Sequence, residues 1–257
     1  MRRIRVIPVL LIQNGGLVKS IKFKKHQYIG DPINAVKIFN EKEVDEIAII
    51  DISATKEKRK PNIEQIKDIA GEAFMPLSYG GGIKTIKEVK EILYQGAEKV
   101  ILNSSALDNL ELITQIANQF GSQSAVISID VKKDWFGKYG VYRNNGTKKT
   151  NLDVVAFAKK VEQAGAGEIL LNSIDNDGTY NGYDISLIKQ VAEAVQIPVV
   201  AVGGASQVAD FNKAISKGGA SAIAAGSMFV FQRPHQAVLI TYPPQEELIK
   251  ELFKKNR

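Results

Sequence analysis

Three pairs of segments recur along this chain at one spacing. EIAIIDIS at 46–53 corresponds to EILLNSID at 168–175, and MPLSYGGGI at 75–83 to IPVVAVGGA at 197–205. QGAEKVILNSSA at 95–106 corresponds to KGGASAIAAGSM at 217–228, so the offset holds at 122 residues. Each segment is a short apolar run ending in glycine, serine or aspartate, the pattern of a buried strand followed by a tight loop. Apolar runs lie at 4–12, 46–51, 76–79, 99–103, 124–131, 168–172, 198–202 and 221–225. Between them stand amphipathic stretches such as NIEQIKDIAGEA, TIKEVKEILYQG and ISLIKQVAEAV, with apolar residues three and four apart. The class is α/β. Periodicity alone also allows a doubly wound open sheet, but eight strand–helix units in two similar halves fit a (β/α)8 TIM barrel of two half-barrel repeats. No linker interrupts them, so residues 1–257 are expected to form a single barrel domain.

Composition narrows the function classes. The net charge of +6 invites a nucleic-acid reading, but the lysines alternate with acids along helical stretches, as on solvated helix faces. A modest positive field also suits a phosphorylated ligand. The chain has no cysteine, which excludes disulfides and thiolate metal sites and fits a reducing compartment. MRRIRVIPVLLIQNGG mimics a short signal peptide but no small-residue cleavage site follows, and no run reaches the roughly 20 apolar residues of a membrane span. A cytoplasmic protein with neither nucleic-acid nor membrane partner is expected. His26 and His235 lack metal-ligand spacing, so no metal and no cofactor are expected.

In a parallel barrel the strand C-termini form the functional face. Glycine-rich turns there expose backbone N–H groups that bind phosphate. GGGI (80–83) with NSSA (103–106) forms one cluster, and DGT (177–179), VGGA (202–205) and AGSM (225–228) form another, which suits a ligand with two phosphates. The alternative is that these glycines merely permit tight strand-to-helix turns. Asp51, Asp130, Asp175 and Asp177 stand at strand exits, where a carboxylate serves either in acid/base chemistry or as a helix cap. Asp130 is the better acid/base candidate because it ends an apolar strand. At the strand entrances, Arg5, Glu46, Lys99 and Glu168 can close a ring of alternating charge, which by itself reads as a stability device. Trp135 falls in a loop after the fifth strand, where hairpin packing is its default. RPHQAVLITYPP (233–244) is an extended apolar piece before the final helix QEELIKELFKK, suited to covering a sheet edge, packing beneath the barrel or meeting a partner.

The first strand poses the sharpest question. RVIPVLLIQNGG (5–16) is a buried strand feeding a polar loop, yet it offers hydrocarbon at its exit. Setting VIPVLLIQ over its half-barrel counterpart AVISIDVK places Leu11 on Asp130.

Together these motifs resemble the cyclase subunit of imidazole glycerol phosphate synthase over nearly the whole chain. The resemblance rests on RVIPVLL…NGGLVKS, IGDP, IIDISATKEKRK, GGGI, GSQSAVISIDVKK, GAGEILLNSIDNDGTYNGYD and GGA. It implies a synthase of the lyase type in histidine biosynthesis. Such a barrel docks a glutaminase subunit at its bottom, receives ammonia through its interior and closes an imidazole ring at its top on a bisphosphorylated intermediate. Carried over by position, it implies Asp130 as catalytic and Arg5, Glu46, Lys99 and Glu168 as an ammonia gate. It also implies Lys19, Asp51, Gly82, Asn103, Ser104, Asp177, Gly178, Gly204 and Ser227 as substrate or phosphate contacts. Four departures stand against it. Leu11 replaces the first aspartate of the acid/base pair, Gln27 and Tyr28 replace an Arg–Asp pair before GDP, Val202 replaces a serine, and the 233–244 segment is unusual. This pattern resembles a divergent branch of surface-polysaccharide gene clusters, in which ammonia passes to a separate sugar-modifying enzyme that forms an amidine on a nucleotide sugar.

Overall fold

The structure is a computed structural model and describes residues 4–232, 235 and 237–253. Arg233, Pro234 and Gln236 of the 233–244 segment, the first three residues of the basic N-terminus and the end of the final helix lie outside the described residues.

The first half begins with β1 (Arg5–Gln13), β2 (Gly16–Ile21), β3 (Lys24–Gly30) and α1 (Pro32–Glu41). It continues through β4 (Ile47–Asp51), α2 (Ile52–Lys56), α3 (Ile63–Glu72), β5 (Leu77–Gly80), α4 (Ile86–Tyr94), β6 (Lys99–Leu102), α5 (Ser104–Asp108) and α6 (Glu111–Phe120). The second half runs β7 (Ala125–Lys133), β8 (Tyr139–Arg143), β9 (Lys148–Lys149), α7 (Val154–Gln163), β10 (Glu168–Ser173) and α8 (Ile185–Ala192). Then come β11 (Val199–Val202), α9 (Val208–Ser216), β12 (Ala222–Ala225), α10 (Ser227–Val230), β13 (Phe231–Gln232), β14 (Ala237–Val238) and α11 (Gln245–Leu248), the last running into a π turn. Strands β1, β4, β5, β6, β7, β10, β11 and β12 pair in parallel in that order, and β12 pairs back onto β1. The sheet closes, and the (β/α)8 barrel expected from the repeat is what forms.

Parallel strands covered by helices are buried on both faces, which is why the runs IAIID, VVAV and AIAA are almost continuously apolar. Alternation sorts each strand into two layers. On β1, Val6, Leu10 and Ile12 face the helix shell, while Ile7 and Val9 join Ala48, Ile101, Val126, Leu170, Val200, Ala222 and Ala224 inside the barrel. Leu11 packs on top of that inner cluster, so it is an inward residue at the mouth. Helix starts are fixed by side-chain caps at Asp31, Asn62, Thr85, Asp153 and Asp184, with a full capping box between Thr85 and Glu88.

Two expectations need correction. The polar loop after β1 is instead an antiparallel hairpin, β2–β3, that returns on β1 with Leu11 opposite Val18. Its turns are built by Asn14 and Gly15, and by Lys22 and Phe23, all at positive φ, so the chain reverses where the apolar pattern lapses. The second half repeats the device with β8–β9 after β7. Trp135 does not pack in its hairpin; it stands 97% exposed at the tip. Beyond β14, Tyr242 stacks on Phe229 at 5.4 Å and donates its hydroxyl to Val6 O at 3.1 Å, tying the tail to the entrance of β1. Among the described residues, no helix is long and apolar enough to cross a membrane.

At the barrel bottom the four strand-entrance charges meet. Arg5 Nη1 donates to Glu46 at 2.5 Å, Arg5 Nη2 donates to Glu168, and Lys99 Nζ donates to Glu46 at 2.8 Å and Glu168 at 3.2 Å. Ser78 Oγ adds a bond to Glu46 at 2.7 Å from the remaining first-half strand. Both carboxylates are buried. Burial alone would push the Glu46 carboxyl up, but Lys99 and Arg5 outweigh it and hold it below its usual range. Its contribution to stability is therefore present above the ordinary carboxylate pKa and lost as pH falls through the depressed value. Removing one cation leaves two buried carboxylates sharing the other, so Lys99→Met should destabilise the fold by about 3 kcal/mol. Removing the exposed Lys189–Glu193 pair should cost under about 0.5 kcal/mol. Urea denaturation of both variants checks the contrast, and equal midpoints would contradict it.

Candidate functional site at the barrel mouth

The inward column of each strand continues past the sheet into the loops and lines one cavity of about 500 Å³ at the C-terminal end. Leu11, Ile50, Asn103, Asp130, Asn172, Val202 and Gly226 mark the ends of seven columns around it. Val9, Ile101, Ser128 and Leu170 form its floor, one layer lower. Because β1 and β7 are four strands apart in a ring of eight, Leu11 and Asp130 stand on opposite walls.

The structure brings the two glycine-rich clusters to the same cavity. Gly82, Asn103 and Ser104 line one side, and Gly178, Gly204 and Ser227 line the other. Packing accounts for the glycines: Gly82 has φ +73°, and a Cβ there would lie 2.8 Å from Arg59 O. Gly204 has φ +103° and abuts Gly182 O in the same way. Tight turns therefore suffice to explain the residue type, and any phosphate role uses N–H groups those turns already expose.

The titratable groups sit in contrasting surroundings. Asp130 is buried, accepting from Ser128 Oγ at 3.3 Å and Asn103 Nδ2 at 3.2 Å. Burial, with Asp177 adding repulsion, pushes its pKa up to about 7 despite the Ser128 bond. That value suits a group that takes up and releases a proton near neutrality. Lys19 is buried on the β1 side, donates to Val9 O, and burial lowers its pKa to about 8 against the attraction of Asp177. The Asp177 carboxyl is raised by burial, opposed by Lys19 and by Ser20 Oγ, which donates to it at 3.2 Å. Asp51 behaves as a cap: its Oδ1 receives the N–H groups of Ser53 and Ala54 at 3.0 and 3.2 Å, and Arg59 pairs with it at 2.7 Å. Asp175 does not line the cavity; it accepts from Lys133 N at 2.8 Å, at the turn end of the β7–β8 hairpin. Gln27 and Tyr28 are exposed on β3 and do not line the cavity, whereas Val202 does.

Several lining residues escaped the sequence reading. The end of β8 and the turn after it carry Arg143, Asn144 and Asn145 over the mouth. Arg143 grips Asp108 through two bonds of 2.6 Å, Asn144 N donates to Ser104 Oγ at 3.1 Å, and Asn145 Nδ2 donates to Ile52 O at 2.6 Å. The signal was present as YRNNGTK, since Asn-Asn-Gly suits the positive φ of a hairpin turn. Lys58 and Lys84 add positive charge on the same side. Asn172 Oδ1 is buried without a hydrogen-bond partner, leaving an acceptor for a ligand. Among the described residues no group of carboxylates and imidazoles is arranged to hold a metal.

Strand order, paired hairpins and a polar mouth define a half-barrel-repeat (β/α)8 protein with its candidate site at the strand C-termini. The model described as "Histidine biosynthesis protein" matches residues 5–234, and the chain belongs to that family, among its HisF-like members. It is 50% identical over 248 residues to "Putative imidazole glycerol phosphate synthase subunit hisF2" of Pseudomonas aeruginosa, covering 96% of this chain and 99% of that one. It is 48% identical over 253 residues to "Putative imidazole glycerol phosphate synthase subunit hisF3" of Vibrio vulnificus, covering 98% and 97%. To "Imidazole glycerol phosphate synthase subunit HisF" of Alkaliphilus metalliredigens it is 44% identical over 225 residues, covering 88% and 89%.

The raised pKa of Asp130 sets a pH dependence. Its stabilising share is intact below its ordinary value of 3.8 and is lost as pH rises through about 7, because the fold then holds a buried carboxylate. Asp130→Asn removes that cost, so it should gain on the parent by roughly 2–4 kcal/mol between about pH 5 and pH 8. Urea denaturation at both pH values reads the gap; parallel curves would contradict the assignment.

Proposed function

We propose that this chain is the ammonia-conducting barrel of a glutamine amidotransferase complex. A glutaminase subunit docks over the ring of Arg5, Glu46, Lys99 and Glu168, and ammonia rises through the barrel interior to the mouth. The observation that carries the reading is a contrast between the two ends. The charge ring is complete, whereas the mouth sets Leu11 opposite Asp130, where an acid/base pair needs a second carboxylate. The inner layer of Ile7, Val9, Ala48, Ile101, Val126 and Leu170 supports conduction of the neutral molecule, since apolar walls disfavour ammonium far more than ammonia.

The acceptor in this proposal is a nucleotide-linked sugar held by a separate sugar-modifying enzyme of surface-polysaccharide synthesis. Ammonia adds to the amide carbon of its substituent, the carbonyl oxygen leaves as water, and an amidine results. The paralogue numbers in the names hisF2 and hisF3 fit a branch apart from the histidine pathway. The glycine-rich turns, with Lys19 on one side and Lys58 and Lys84 on the other, keep the mouth suited to a phosphorylated small molecule.

A second reading, a working cyclase of histidine biosynthesis, is favoured by Asp130, whose pKa of about 7 suits acid/base work. The two readings separate on rate. Losing one member of a catalytic pair costs several kcal/mol, of the order of 10³-fold. Given ammonia and the bisphosphorylated histidine-pathway intermediate, the parent is expected to turn over well below about 1 s⁻¹. Leu11→Asp should raise the rate only in part, because Val202 and the β3 residues differ too. Ordinary cyclase turnover by the parent would overturn the amidation reading. A glutaminase that never forms a one-to-one complex with the chain would overturn the channel itself.

A further inference from the structure

The hairpin β7–β8 ends in DWFGK (134–138), a turn with an unusual division of labour. Its backbone is fixed: Asp134 Oδ1 accepts from Phe136 N at 3.0 Å and Lys138 N at 2.9 Å, and Asp134 N donates to Lys138 O at 2.9 Å. The strand pair flanking the turn is fixed as well, by Lys133 to Asp184 at 3.0 Å and Tyr139 Oη to Asp184 at 2.8 Å. Yet the two side chains this scaffold presents, Trp135 and Phe136, are 97% and 94% exposed. Phe23, at the tip of the β2–β3 hairpin, instead lies against Gly146 on the roof of the mouth. A held turn with two adjacent aromatics in water is costly unless a partner covers them.

The surroundings say what that partner carries. Lys133, Lys138 and Lys149 stand on the β7–β8–β9 hairpins, Lys133 paired with Asp184 and Lys149 with Asp134, and Lys22, Lys24 and Lys25 stand exposed on the β2–β3 hairpin, which likewise follows the C-terminal end of a barrel strand. Asp134, the carboxylate of the tip, is engaged with the turn N–H groups and lies 3.5 Å from Lys149. The face thus offers an aromatic anchor inside a basic rim, which complements an apolar cleft bordered by carboxylates. Its position matters equally, since it is the face onto which the cavity opens. Ammonia released into bulk water is protonated and lost to the reaction, so an acceptor on another protein must close over this end.

We propose that the Trp135–Phe136 tip is the docking anchor for the enzyme that takes up ammonia from the barrel mouth, through an acidic-rimmed apolar cleft on that enzyme. The inference rests on the ammonia-conducting reading above. Two aromatic side chains cover roughly 300–500 Å², less than the roughly 800 Å² per partner of a stable interface. The contact is therefore completed by the lysine rim, and it weakens as salt rises.

Trp135 is the sole tryptophan of the chain, so its fluorescence reports the tip directly. The barrel is titrated with a purified nucleotide-sugar amidating enzyme from the same organism, that enzyme carrying an unnatural non-emitting tryptophan analogue. A saturable blue shift of Trp135 emission is expected. The Phe136→Ala variant should weaken binding about tenfold, and Trp135→Ala/Phe136→Ala, followed by sedimentation, at least as much, with glutaminase binding unchanged. Unshifted emission, or equal affinity of the double variant, overturns the proposal. So does a shift seen only with anionic phosphatidylserine vesicles, which assigns the tip to a membrane surface. Glutaminase binding is measured separately on the same preparation. Its loss indicts the channel reading, whereas intact glutaminase binding with a silent Trp135 indicts the docking anchor alone.

Discussion

The bottom charge ring is the constraint around which this barrel is organised. Four ionic side chains at the entrances of β1, β4, β6 and β10 alternate in sign, and Ser78 on β5 completes the contacts of Glu46. Glu168 is the ring's contribution from the second half, so its bonds to Arg5 and Lys99 tie one half-barrel to the other. A ring like this is a poor source of net stability, because desolvating four charges offsets most of what their attraction returns. It does specify geometry. Each charge has its place only if all four strands enter at one level, which fixes the stagger of the closed sheet.

From that level the inward columns rise through a layer of small and branched side chains to the mouth. Ala48, Ala222 and Ala224 leave room for Ile7, Val9 and Ile101, so the interior is hydrocarbon rather than polar. Only at the top do Ser128, Asp130, Asn172 and Asn103 appear. Leu11 belongs to the hydrocarbon layer by chemistry and to the polar layer by position. A carboxylate at position 11 would meet Ile50 beside it and Asp130 across the cavity, and each would push its pKa upward. The leucine trades that acid/base capacity for continuity of the apolar wall.

Much of this was legible in the residues. The repeat and the apolar runs located all eight barrel strands to within one or two positions, because strands buried on both faces read as nearly continuous apolar runs. The four ring charges were legible as the last charged residue before each apolar run. The paired hairpins were not read, since β3 is mostly exposed and the hairpin carries KFKKHQ where a buried strand would carry hydrocarbon. Arg143, Asn144 and Asn145 were missed because they enter the mouth from a hairpin rather than a strand exit. Trp135 was misjudged for a physical reason: an aromatic in a hairpin ordinarily packs across the strands, and here the turn of Asp134 points it away. The sequence offered two roles for Asp51, and the structure shows it capping α2 and pairing with Arg59.

The central claim is that ammonia travels along the barrel axis from the ring to the mouth. Ala48 stands directly above Glu46 in the inward column of β4, so Ala48→Leu narrows that path while leaving ring and mouth residues in place. Overpacking there should cost about 1–3 kcal/mol of stability. Amination of the acceptor is then measured with the assembled complex, supplied either with glutamine or with ammonium chloride, at matched folded fraction. The account requires the glutamine-supported rate to fall about tenfold or more while the ammonium-supported rate stays within about twofold. Equal loss of both rates, or no loss of either, would contradict it.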